Sequence, residues 1–125
     1  MIPKYRAYDG GSLNRMYQPD EVMVGNCNIW IIDEDSVAGE WIVNNDIHLM
    51  QSTGLFDKNN KEIFEGDILK SNKYITSVFY ERGAYRVKLS RTPNTTVIMD
   101  VISFIEKYKT KIIGNIYENK ELLDA

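Results

Sequence analysis

Apolar and polar positions alternate along this chain in short runs broken by turn-forming residues, the pattern of antiparallel β-structure rather than of long helices. It is clearest at residues 85–90, where Tyr85, Val87 and Leu89 fall on one face and Arg86, Lys88 and Ser90 on the other. Residues 73–80 before them are β-branched and aromatic and predict a strand, turned back at Glu81, Arg82 and Gly83. Further strands are predicted at residues 5–8, 21–24, 28–33, 41–43, 95–99 and 111–117, with GGS, GN and DEDS separating the N-terminal ones. Leu55-Phe56 and Ile63-Phe64 flank DKNNKE, which reads as a hairpin because Asn tolerates positive φ and Asp accepts hydrogen bonds from turn amides. Gly66 supplies the next turn into residues 67–70, and Gly114 marks a bulge or a close backbone approach. One short helix is predicted behind an Asp100 N-cap, from Val101, Phe104, Ile105 and Tyr108 at i, i+3, i+4 and i+7, with a strand as the alternative because of the β-branched residues around it. Residues 119–123 predict a last helical turn capped by Asn119.

This order predicts a mainly β, β-rich α+β chain. Residues 49–125 are expected to form a small SH3-like antiparallel barrel with one short helix before its last strand. Residues 1–48 are expected to form a β-rich extension packed on it, the whole folding as one unit. At 125 residues the length suits a single domain.

Composition narrows the chemistry. An apolar fraction of 43% and a charged fraction of 26% are ordinary for a globular protein. The longest apolar runs fall far short of the roughly 20 residues of a spanning helix, and Lys4, Arg6 and Asp9 interrupt any signal-like start, so a cytoplasmic location is expected. Cys27 is the only cysteine, which excludes an intrachain disulfide and a CxxC zinc pair; it is expected to be a buried free thiol. His48 is the only histidine, so a multi-histidine metal site has too few ligands and any histidine-dependent triad would have to be built around this one residue; a structural or surface histidine is expected. No P-loop, GxGxxG, GxSxG or HExxH pattern occurs. Neither catalytic residues nor a cofactor or metal is expected. A net charge of −3 opposes strong nonspecific attachment to DNA, although residues 70–91 are locally basic and residues 20–46 hold acids without any Lys or Arg.

The stretch LMQSTGLFDKNNKEIFEGDILK and the close KIIGNIYENKELL, with KYRAYD near the N-terminus, resemble the YopX family of phage and prophage proteins, whose signature reads TGLxDKxGxEIYEGD and ends in GNIYENPELL. The resemblance spans both ends and the middle of the chain and implies a phage or prophage protein in a bacterial host. It implies no biochemical function.

Within these blocks Asp57, Asn60, Gly66, Asp67, Gly114 and Asn115 are read as a structural turn signature. Glu65 and Asp67 lie two residues apart, as a metal or acid–base pair would, but Asp67 holding its own turn is the stronger reading. The leading functional expectation is a non-catalytic protein-interaction or self-assembling module, since exposed strand edges recruit other chains, a second copy included. The alternative is single-stranded nucleic-acid binding by the basic and aromatic hairpin of residues 74–88, with Tyr80, Arg82, Arg86 and Lys88 as the contact surface.

Overall fold

The structure is a computed structural model that describes residues 3–11 and 13–123; Ser12, in the GGS separator, lies outside them. The chain divides into two compact units, residues 1–52 and 53–125.

In the first unit, strand β1 (Tyr5–Asp9) pairs antiparallel with β2 (Arg15–Tyr17) on one side and with the start of β6 (His48–Phe56) on the other, placing Ala7 opposite both Tyr17 and Leu49. Strands β3 (Val22–Gly25), β4 (Asn28–Ile32) and β5 (Trp41–Val43) form a second antiparallel meander with β5 at an edge. Ala7, Tyr17, Val22, Ile31 and Ile47 make the core of this unit. Strand β2 was not among the predicted strands, because Arg-Met-Tyr lacks the β-branched residues that mark one. Its Arg15 guanidinium lies 4.2 Å from the centre of the Tyr17 ring and pairs with both Glu21 and Glu34. Cys27 corrects an expectation: it is exposed, because the turn between β3 and β4 consists of Asn26 and Cys27, both at positive φ (51° and 62°).

In the second unit, the end of β6 neighbours β7 (Glu62–Phe64), where the Thr53 hydroxyl donates to the Ile63 carbonyl at 2.7 Å. Two three-stranded antiparallel sheets follow. One is ordered β13 (Lys111–Asn115), β8 (Asp67–Lys70), β9 (Ile75–Ser77), and the other β10 (Phe79–Glu81), β11 (Ala84–Thr92), β12 (Thr95–Asp100). The single strand expected at residues 73–80 is therefore two strands, broken at the buried Val78. Its N–H donates to the Asp67 carbonyl and its carbonyl accepts from Gly66, so the chain leaves one sheet there and enters the other. Thr76 ties the sheets together: its hydroxyl donates to the Lys88 carbonyl at 2.8 Å and accepts from the Lys88 N–H at 3.3 Å.

Helix α1 (Val101–Lys107) lies between β12 and β13 as the spacing predicts and buries Val101 and Phe104. These join Ile63, Leu69, Tyr74, Val78, Val87 and Leu89 in the core of this unit. Asp100 has the extended backbone of an N-cap, but its side chain makes no capping bond and faces Arg86 at 3.7 Å. Strand β13 stops at Asn115 rather than running to residue 117. The buried Asn115 side chain accepts the Tyr117 and Glu118 amides at 3.0 and 2.9 Å, which turns the chain. Asn119 stands at the N-cap position of the 3-10 turn at Lys120–Leu123, its carbonyl accepting the Leu122 N–H at 2.9 Å, but its side chain turns back to accept the Asn115 N–H at 3.2 Å. Gly114 makes room for that reach, since a Cβ there would lie 2.5 Å from Asn119 Oδ1, and it also follows a register shift in the β13–β8 ladder.

Candidate anion-binding cleft

Three separate segments of the second unit converge on one open cleft of about 670 Å³. Six of its lining residues are lysines: Lys58, Lys70, Lys73, Lys107, Lys109 and Lys111; Ser71, Asn72 and Tyr108 complete it, with no carboxylate. Each lysine is held by an ordered turn or ladder. Lys70 ends β8 and Lys111 begins β13, and the two are direct partners in that ladder. Like charges directly opposite one another across an antiparallel pair are destabilising. Lys73 sits in a turn built by Ser71, whose hydroxyl oxygen accepts the Lys73 and Tyr74 amides at 3.2 and 2.9 Å. Lys107 and Lys109 flank Tyr108, which closes the helix by donating its N–H to the Phe104 carbonyl.

Lys58 comes from the β6–β7 turn, and the buried Asp57 brings it here. The Asp57 carboxylate accepts from the amides of Asn59 (2.9 Å) and Lys61 (2.8 Å) in its own turn, and from Ile112 (2.9 Å) on β13. The Lys58 N–H also donates to the Thr110 carbonyl at 2.9 Å. Asp57 thus places its carboxylate oxygens on three backbone donors, fastening the Lys58 turn beside Lys109 and Lys111; Asp57 and Glu106 line the neighbouring hollow with Lys58 and Lys109, not the lysine cleft itself. Aromatic rings stiffen one wall: Tyr74, Phe104 and Tyr108 pack with centroids 5.3 to 6.5 Å apart, and the Lys73 and Lys107 ammonium groups lie 5.5 and 5.7 Å from the centres of the Tyr74 and Tyr108 rings. Among the described residues, no group of three His, Cys, Asp or Glu side chains is placed to hold a metal ion. No helix among them is long and apolar enough to cross a membrane.

The sequence profile of the family described as YopX protein matches residues 4–124. The chain belongs to the YopX family. It is also similar to the crystal structure of protein EF1440 from Enterococcus faecalis, with 29% identity and a TM-score of 0.62, covering 98% of this chain and 99% of that one. No curated protein matches it.

The YopX stretch supplies one turn of the cleft and much of its support. Asn60 takes positive φ (64°) where the family signature has Gly, Gly66 takes φ 87°, and Asp67 Oδ2 accepts the Phe64 N–H at 2.8 Å. The hairpin residues singled out from sequence do not line the cleft. Tyr80 is exposed and packs on its cross-strand partner Tyr85 with centroids 5.0 Å apart, Arg82 sits at the hairpin tip at φ 51°, and Lys88 is exposed on β11. Arg86 donates to the Glu81 carbonyl at 3.3 Å and faces Asp100. Alternation along β11 puts Tyr85, and with it Tyr80, on the face opposite Arg86 and Lys88, so the stacking platform and the two cations are split between faces. Lys70 and Lys73 belong to the locally basic stretch of residues 70–91, but their convergence with Lys58, Lys107, Lys109 and Lys111 is not visible in sequence, because the six are scattered from residue 58 to residue 111 and share no motif. Only the K-Y-K-T-K run at residues 107–111 hints at them.

Proposed function

We propose that this YopX-family chain binds a phosphate-rich polyanion, a single-stranded nucleic acid, in the lysine cleft of its second unit. The observation that carries the reading is the Lys70–Lys111 pair, held opposite one another in a ladder with four more lysines around it and no acid among the lining residues. Six lysines around one cleft whose lining holds no acid repel one another, and a multivalent anion relieves that repulsion. Lysines are compact point charges suited to phosphates rather than to bidentate base contacts, so binding is expected to be tolerant of sequence. The concave cleft suits a single strand, which can thread between the lysine-bearing turns, better than a duplex. The chain's overall charge of −3 confines binding to this patch.

A labelled oligodeoxythymidine titrated at several salt concentrations tests this. If four to six phosphates are engaged, log K falls against log salt with a slope of about −3 to −4, from about −0.7 per phosphate on single strands. Replacing Lys70 and Lys111 by Ala reduces the slope by about 1.4 on the same scale. Absence of binding at low salt, or a slope unchanged in the double variant, rejects the cleft as the site. A protein-interaction role finds its own support in the first unit, at the free edge of β5.

A further inference from the structure

We infer that the exposed β5 edge is a self-pairing strand, joining two copies of the chain about a two-fold axis through Ile42. The hydrogen bonding of β5 determines which of its groups are free. The Asp33 N–H donates to the Glu40 carbonyl and the Asn44 N–H to the Ile29 carbonyl, so residues 40 and 44 are bonded positions of the β4–β5 ladder. Ile42, two residues from each and opposite Ile31, is bonded inward as well. The N–H and C=O groups of Trp41 and Val43 therefore point away from β4, at the edge of the sheet.

That set is complementary to itself in one register. With two β5 strands antiparallel and Ile42 opposite Ile42 of the copy, Trp41 of each chain stands opposite Val43 of the other. The four outward donors and four outward acceptors of the pair then make four hydrogen bonds with none left over. The side chains agree. Trp41, Ile42 and Val43 are each more than a third exposed (37%, 44% and 43%), and the strand has no Lys or Pro to block an edge. The two Ile42 side chains meet on one face, extending the Val22–Ile31–Ile42 row of each sheet, and two Trp41–Val43 pairs form on the other, beside Trp30 and Met23. Charge selects the orientation: Glu40 and its neighbour Asp33 lie at one end of β5, Asn44 and Asn45 at the other. Antiparallel pairing sets each Glu40 against Asn44 of the copy, whereas parallel pairing would set Glu40 against Glu40. Three residues of edge and one apolar strip are a small interface, so the dimer is of the weak, concentration-dependent class.

Sedimentation equilibrium of the full chain over a wide concentration range decides this. The wild-type mass is expected to rise from 14.5 kDa towards twice that value, and Ile42→Lys and Ile42→Glu are each expected to remain monomeric because like charges then oppose across the axis. An equimolar mixture of the two variants should regain the dimer. Val43→Pro is a second probe, since it deletes an outward N–H without touching the ladder to β4, and it should also abolish the dimer. A wild type that stays monomeric at the highest concentration, single variants that dimerise like wild type, or a mixture that stays monomeric would each overturn the inference. The readout uses no nucleic acid, so its failure is distinct from failure of the lysine cleft.

Discussion

Asp57 shows how one side chain can serve both the fold and a site it never enters. Its carboxylate accepts three backbone N–H groups, two local and one 55 residues away on β13. Truncation would strand those donors, so Asp57→Ala is expected to cost about 3 kcal/mol in a chemical denaturation measurement. It should also release the Lys58 turn and weaken oligonucleotide binding although Asp57 carries the wrong charge to bind an anion. The role of Asp57 as a turn-maker was legible from the residues around it, but the long-range bond was not, because a sequence shows the turn and not the strand that comes to lie beside it. Tyr17 offers a separate reading of the first unit. Burial pushes its phenol above the ordinary 10.0, against the lowering pull of Arg15. The unfolded chain therefore loses this proton first as pH rises, so the contribution is intact below pH 10 and is lost through the alkaline range above it. Tyr17→Phe is expected to flatten the alkaline limb of a stability–pH curve and leave the neutral region's slope unchanged.

Among the elements, the β8–β13 ladder pits stability against binding. Lys70 opposite Lys111 is an unfavourable pair, so Lys111→Glu, by turning it into an opposite-charge pair, should raise stability by about 0.5 kcal/mol while reducing affinity for a polyanion. A stabilising change that damages binding would be hard to explain if the lysines merely solvated a surface. A variant that is less stable and binds as well as wild type would contradict the proposal. The strands and α1 were readable from period and turn chemistry: alternation on β11 separates buried Val87 and Leu89 from exposed Lys88 and Ser90, and the i, i+3 spacing found the buried face of α1. The break at Val78 was not readable, because Thr76, Val78 and Phe79 have the same β preference on either side of it. Only the backbone bonds to Gly66 and Asp67 show where the chain changes sheets.

For the whole molecule, charge is divided as sharply as structure. Residues 1–52 carry three Lys and Arg against eight Asp and Glu, and residues 53–125 carry twelve against ten. The overall −3 conceals this, and it counts in sequence against nucleic-acid binding, which stands there only as the alternative. The basic excess of the second unit is small and becomes a site only because three segments bring six lysines to one cleft whose lining holds no acid. The two units also differ in when they can be completed. Every ladder of the first unit lies within the first 52 residues. In the second, β8 is flanked on one side by β13, and the Gly66 carbonyl accepts its hydrogen bond from Ile116. A ribosome making this chain would therefore release a finished first unit well before the second could close, and would hold β8 with an open edge until the last residues emerged. Nascent chains arrested at increasing lengths are expected to protect the first unit from protease early and the second only after residue 116 has cleared the exit tunnel.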